Sequence, residues 1–206
     1  MAFYSYKMTR DYGFAPNPFG EFCTLATCKP AIRRTAVVGD WILGTGSEEL
    51  KLPFRAIYLM QISEKLSLEE YWLDRRFQHK KAIANGSLVT IHGDNVYSKN
   101  EAGDWCQADC QHSHQDPQIR EKHIEKDTKG RFVLLSDTFY YFGNNHIEIA
   151  DKFRDLCCKT QGHIVFRKDV QGILREAFIK DVTQTYSVGI HGKPNDWQQY
   201  DQLSLF

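Results

Sequence analysis

Short runs of aromatic and β-branched residues, six or seven residues long and often closely spaced, limit what this chain can fold into more than any other feature. Residues 3–9 alternate and are rich in aromatics; residues 41–46 follow directly on a Gly39-Asp40 turn. Residues 56–62 are apolar on both faces, and a single residue separates 131–136 from 138–143. Such runs suit a pleated, half-buried surface. Links this short leave no room for the crossover that a parallel pair needs, so antiparallel pairing is expected. Residues 163–166 read as a further short strand. Helical stretches are predicted at 22–28 and 30–36, the second with Pro30 in its first turn. Another opens on the capping box Ser67-Leu68-Glu69-Glu70 and runs through Tyr71 and Trp72, and two more lie at 148–158 and 169–182. The prediction is an α+β chain: one domain over 1–190 with a curved, mainly antiparallel, barrel-like sheet flanked by helices, then a polar tail at 191–206.

The connections carry their own information. Residues 11–21 hold Gly13, Pro16, Pro18 and Gly20, which preclude regular structure, while Tyr12, Phe14 and Phe19 favour an ordered loop. Residues 88–91 and 95–97 flank His92-Gly93-Asp94 as a hairpin would. Residues 77–87 read as polar connection. Residues 98–130 form the longest polar stretch, read as irregular and either functional or mobile.

With 206 residues, 42% hydrophobic and 13% aromatic, the chain can bury a core and is not of disordered composition. No apolar run approaches the roughly 18 residues of a membrane span, and the N-terminus lacks a signal-peptide pattern, so a cytoplasmic location without membrane association is expected. Lys plus Arg equals Asp plus Glu at 26 each, which argues against coating a long duplex through its phosphates. It leaves open the reading of one nucleotide. The six cysteines are expected to be free thiols, with Cys157-Cys158 in a helix.

Several motifs point to chemistry. Gly44-Thr45-Gly46-Ser47 could cradle a phosphate, but the third glycine of a dinucleotide fingerprint is missing and Glu48 and Glu49 would repel an anion. A turn leaving the strand is expected there, and no cofactor. Cys106, Cys110, His112 and His114 are zinc-ligand types at a spacing that matches none of the usual pairs, so no metal is expected. Asp137, His146 and His163 fall near strand ends; Asp137 and His163 are the acid–base candidates. A concave ligand site is expected between the 11–22 loop, Trp41 and the 140–142 strand. Phe14, Phe19, Trp41, Tyr140 and Tyr141 would supply rings, stacking on a base being worth about 1–3 kcal/mol. Asn17 would present a donor and an acceptor to a base edge. Lys29 and Arg33, four apart, would meet a phosphate together. Along the strand, Tyr140 and Phe142 should share one face and Tyr141 take the other.

Four stretches are more specific together than any one motif: FGEFCTLATCKPAIRRTAVVGDWILGTGS (19–47), EKLSLEEYWLDRRF (64–77), LLSDTFYYFGNNHIEI (134–149) and CCKTQGHI (157–164). From about residue 3 to about 180 the chain resembles the bacterial nucleotide modification associated domain 2 family. The resemblance implies association with DNA base-modification genes, often on phages and mobile elements, and brings no catalytic residues with it. A further likeness, of fold alone, is to PUA-like EVE and YTH domains: strand, loop, helices, a Gly-Asp turn, strand. Members of that group hold modified bases in an aromatic cage. The functional expectation is a module that binds a modified base or nucleotide in an aromatic pocket. Its partners would be a nucleotide or nucleic acid with a modified base, and DNA-modification or defence proteins. The alternatives are an enzyme acting on a nucleotide or modified base, and a scaffold within a modification or defence system.

Overall fold

The computed structural model describes residues 1–110, 112–160, 162–166 and 172–197. The end of the predicted tail, 198–206, and the start of the predicted 169–182 helix lie outside the described residues. Strands in chain order are β1 (Phe3–Met8), β2 (Cys23–Leu25), β3 (Trp41–Gly46), β4 (Arg55–Gln61), β5 (Glu64–Ser67) and β6 (Tyr97–Lys99). They continue with β7 (Trp105–Gln107), β8 (Phe132–Ser136), β9 (Thr138–Tyr141), β10 (Ile147–Glu148), β11 (His163–Phe166) and β12 (Gly189–Ile190). The α-helices are α1 (Pro30–Thr35), α2 (Leu68–Leu73), α3 (Leu88–Ile91), α4 (Pro117–Thr128) and α5 (Gly172–Thr185). The class is α+β. Two compact units divide the chain: one holds 1–12, 37–63 and the described residues from 136 onwards, the other holds 13–36 and 64–135.

The first unit is built on a seven-stranded sheet in the order β11-β1-β3-β4-β9-β12, with β10 on β4. Pairing is antiparallel except for β1–β3 and β9–β12. β1 and β3 are therefore neighbours but run the same way, as the long connection between them allows. Among the described residues the strands form an open path from β11 to β12 and close no barrel. One face of the sheet carries Phe3, Trp41, Leu43, Leu59, Tyr140 and Phe142, covered by Phe178 and Val182 of α5. These helix residues are four apart and so lie on one helical face. The Gly39-Asp40 turn forms as predicted: the Asp40 carboxylate accepts from the main-chain N–H of Ala2 at 2.6 Å and of Val37 at 3.0 Å. Gly44 and Gly46 end β3 and a turn follows at 48–51. Glycine is required at 44 because a Cβ there would lie 2.2 Å from the Tyr58 ring.

The second unit holds the sheet β2-β8-β5 and the hairpin β6-β7. Three expectations are corrected here. Residues 22–28 are not a helix: Cys23–Leu25 is a strand, and Cys28 and Lys29 have φ of 54° and 39°, which no right-handed helix tolerates. The hairpin is not at 88–97; residues 88–91 are helical, and β6 pairs with β7 instead. The 98–130 stretch is not irregular throughout: it contains the end of β6, all of β7 and α4, whose N-terminus Asp116 caps at 2.8 Å. α4 buries only Asp127 and Thr128, so it leaves no apolar periodicity to read. The predicted capping box is present, with Ser67 and Glu70 bonded reciprocally at 3.1 and 2.7 Å.

Candidate functional site

Sheet pairing and burial place each candidate side chain. In the first unit, Trp41 and Tyr140 are 5% and 4% exposed and packed in the core, on the face that also holds Phe142. Tyr141 takes the opposite face, as predicted, and donates its hydroxyl to the buried Asp11 carboxylate. That carboxylate also accepts from Asn195 N–H at 3.0 Å and Asn195 Nδ2 at 2.8 Å. Asp137 is exposed just before β9, and His163 lies on β11 stacked on Tyr4, ring centroids 6.3 Å apart. Three strands stand between β11 and β9. At ~4.8 Å per strand the two candidates are roughly 19 Å apart across the sheet, so they cannot share a proton relay.

In the second unit, Phe14 is buried with its ring 4.7 Å from that of His112. Arg33 is fully buried, and its guanidinium points inward rather than towards a phosphate. Nε donates to Cys28 O at 2.8 Å, Nη1 to Phe132 O at 2.9 Å and Nη2 to Asp127 O. It packs against Gly130, where a Cβ would lie 2.5 Å from Cζ. The Asp127 carboxylate, 3.9 Å from Nη2, accepts from Tyr97 OH at 2.9 Å and Cys28 N–H at 3.0 Å. Burial lowers the Arg33 pKa, with Asp127 opposing it. Lys29, in its left-handed conformation, stands just before α1 and is half-buried. The predicted Lys29–Arg33 phosphate clamp is thus not assembled.

Asn17 has an architectural position. It and Thr24 exchange main-chain hydrogen bonds of 2.8 and 2.9 Å, closing a loop whose tip carries Phe19, Gly20, Glu21 and Phe22. Beneath the closure lies Lys80, 2% exposed. Its ammonium donates to Asn17 O at 3.0 Å, Asn17 Oδ1 at 2.9 Å and Thr24 Oγ1 at 3.1 Å. The Thr24 hydroxyl passes the polarity on, donating to Asp94 Oδ2 at 2.6 Å, while Tyr71 OH donates to Asp94 Oδ1 at 2.7 Å. Burial drives the Lys80 pKa down and the Asp94 pKa up; each charge pulls the other back towards ionisation.

Above this buried network the loop tip and the 3₁₀ turn Arg75–Lys80 enclose a recess of about 340 Å³, lined by Gly20, Glu21, Phe22, Arg76, Phe77 and His79. Phe22 and Phe77 meet edge-on, centroids 5.8 Å apart, and Phe77 rests on Tyr71 at 4.8 Å. The Arg76 guanidinium lies over Phe77 at 4.9 Å and Phe22 at 5.6 Å. Glu64 holds it by Nη1 at 2.8 Å and Nη2 at 2.9 Å, and Asp74 by Nε at 3.0 Å and Nη2 at 2.7 Å. Four of its five N–H donors are thereby engaged, and 43% of the side chain remains exposed. Gly20 has φ of +100°, and a Cβ there would lie 2.6 Å from His79 Nε2.

A sequence model of nucleotide modification associated domain 2 matches residues 1–201 of the chain. The chain belongs to this family. No curated protein and no solved structure matches it. The recess and the network under it both lie inside the matched span of this nucleotide modification associated domain. Among the described residues no group of three or more His, Cys, Asp or Glu is placed to hold a metal, and no helix is long and apolar enough to cross a membrane. None of the six recess residues was singled out as a site residue from the sequence; Gly20 and Glu21 lay in the loop expected to border the site. Phe22 fell in a stretch read as helix; Arg76, Phe77 and His79 lay at the end of one segment and the start of a polar connection. The legible sign was the crowding of rings and cations in DRRFQHK, 74–80.

Proposed function

We propose that this nucleotide modification associated domain binds a nucleobase, modified base or nucleotide in the aromatic recess of its second unit. The observation that carries the reading is the Arg76 plane. Two carboxylates fix it, one face lies over Phe77, and its remaining exposure leaves a flat cationic surface beside Phe22. Guanidinium planes and aromatic rings are the surfaces on which unstacked bases are held. The volume is at the lower end of small-ligand sites, which suits one heterocycle. The loop expected to border the site contributes Gly20, Glu21 and Phe22, with Asn17 as its hinge and Phe19 at its tip. Phe14 and Arg33 are buried framework of the second unit, and Trp41, Tyr140 and Tyr141 belong to the first unit and not to the recess. The order strand, loop, helix, Gly-Asp turn, strand keeps the PUA-like analogy within the proposal.

Titration with a panel of modified and unmodified nucleosides, followed by NMR chemical shifts, tests it. Phe22→Ala should weaken the tightest complex by at least about 1 kcal/mol if the ring stacks on the base, with circular dichroism unchanged. Equal affinity for the variant would take Phe22 out of the site. No ligand across the panel would sink the base-binding reading and favour a scaffold.

A further inference from the structure

We propose that the second unit also grips the phosphate backbone of single-stranded nucleic acid, through three cations gathered round Phe132. This goes beyond base binding, since it gives the ligand a chain. Lys65, on β5, stands opposite Leu134 in the register, and its ammonium lies 4.4 Å from the centre of the half-buried Phe132 ring. The ammonium donates to Arg34 O at 3.0 Å and Ala36 O at 2.7 Å, acceptors that carry no net charge. These bonds bring the last turn of α1, and Arg34 with it, beside Lys65. Arg131 directly precedes Phe132, and its carbonyl accepts from the N–H of Leu68, just past β5, at 3.1 Å. Arg34 and Arg131 are exposed, and among the described residues neither side chain has a hydrogen-bond or ion-pair partner. Glu64 alternates to the other face of β5, where Arg76 holds it. Asp127 is buried beside Arg33, and Lys129 pairs with Glu125. Against the three cations stands Glu70, whose carboxylate is bonded to Ser67 N–H.

Arg131 supplies an independent sign. Its φ is 61°, a left-handed conformation that asparagine or glycine adopts more readily than a long side chain does. The guanidinium bonds to nothing among the described residues, so what the position gains for that strain is an exposed charge. Cations round a partly exposed ring are the make-up of a single-strand track, in which charge follows the backbone. Glu64 and Lys65 are consecutive on a strand at the edge of its sheet, so the Arg76 recess and the cations flank one edge. A single strand bent over that edge offers phosphates to the cations and a base to the recess. A duplex, with its bases paired, does not.

The test is fluorescence-anisotropy titration of the full chain with an oligothymidylate of about ten nucleotides, its uncharged methylphosphonate analogue and a duplex of equal length. Three phosphate contacts give a slope of log K against log salt of about −2, so affinity should fall roughly twentyfold from about 50 to about 200 mM salt. Arg34→Gln and Arg131→Asn should each bring the slope towards about −1.4 and weaken binding at least about threefold at the lower salt. Arg131→Asn should also raise Tm, because asparagine suits φ 61°. Lys180→Gln, at an exposed position on α5 of the first unit, should change neither slope nor affinity. No binding, a slope near zero, or the methylphosphonate or the duplex bound as tightly as the oligothymidylate would overturn the proposal. So would a loss with Lys180→Gln equal to that with Arg34→Gln, or a lower Tm for Arg131→Asn. Phe22→Ala separates the two sites. An oligonucleotide complex indifferent to it, with the slope kept, would take the base out of the recess and leave the backbone contact standing. Nucleosides bound in the recess by a chain whose oligonucleotide affinity ignores salt would do the reverse.

Discussion

Removing one charge from the buried network should cost more than any other single polar change in the second unit. Lys80→Met keeps the length of the side chain and deletes its ammonium. Asn17 O, Asn17 Oδ1 and Thr24 Oγ1 each lose a charged donor, and the fully buried Asp94 loses its compensating cation. Hydrogen bonds to charged groups contribute about 1.5–3 kcal/mol each, against which stands the relief of no longer burying an ammonium. Breaking one side of a buried pair costs about 3–5 kcal/mol, and that is the expected loss, a large part of a typical domain's 5–15 kcal/mol. Asp94→Asn should cost a similar amount, because Lys80 is then left uncompensated. The double variant should cost less than the sum, with a coupling of at least about 1.5 kcal/mol, since neither charge is stranded. The assay is urea denaturation at pH 7, with the slope checked for constancy. A Lys80→Met loss under about 1 kcal/mol, or additivity within about 0.5 kcal/mol, would refute the idea that Lys80, Thr24 and Asp94 act as one unit.

Other outcomes follow from the same structure. Burial holds the pKa of His92 below the usual 6.5. The unfolded chain therefore takes up this proton first: stability is full above pH 6.5 and falls as the pH drops below it, until the folded group protonates too. The difference in Tm between the wild type and His92→Gln should shrink between pH 7.5 and 5; a constant difference would show that His92 does not titrate. Burial pushes the Cys23 thiol up to about 12, whereas Cys106 is exposed. Iodoacetamide at pH 8 should label Cys106 in the native protein and Cys23 only after unfolding, read by peptide mass; prompt Cys23 labelling would contradict its burial. Gly20→Ala should lower stability by about 1–2 kcal/mol through backbone strain at φ +100°, and shift the His79 resonances as its ring moves off the new methyl group. Unchanged denaturation would show that the loop tip relaxes freely.

The strands were legible where their residues are ordinary for their surroundings. Residues 41–46, 56–62 and 131–136 are rich in aromatic, aliphatic and β-branched side chains and mostly buried, and structure follows pattern to within a residue. The capping box at Ser67 was legible because it is a local hydrogen-bond exchange that needs no tertiary partner. The errors have other causes, some of them set by residues far along the chain. Cys23–Leu25 becomes a strand because β8 lies beside it, and no feature of its own seven-residue window announces that partner. The hairpin misplaced at 88–97 went to Tyr97–Lys99 and Trp105–Gln107, where Asn100 and Asp104 bond across the turn at 2.8 Å and Gly103 supplies φ of 88°. α4 was missed because a helix with almost nothing to bury shows no stripe. The expected clamp failed on Arg33, whose spacing from Lys29 was read correctly but whose direction was set by Asp127, 94 residues away.

The aromatic residues show why the site was only half legible. Rings at 13% of the chain invite a stacking pocket, yet rings also give the largest apolar burial per residue, and a sheet covered by a helix claims them first. Trp41, Tyr140 and Phe142 align on one face because strand periodicity puts them there, and α5 covers that face. Their abundance therefore says little about a ligand. A ring that is left partly exposed on an irregular segment is a different case, because ordering such a segment costs about 1–2 kcal/mol per residue and something must offset it. In the 17–24 loop the offset is visible. Two main-chain hydrogen bonds and a buried lysine hold its base, while Phe19 and Phe22 remain half-buried and Glu21 exposed at its tip. A buried charge is a costly way to fix a surface loop; apolar packing would do it more cheaply. What the charge adds is direction: three hydrogen bonds from one ammonium set the orientation of Asn17 and Thr24, and through them the placing of Glu21 and Phe22 against Arg76. That orientation is what the proposed base-binding recess needs if Phe22 is to be presented beside Arg76.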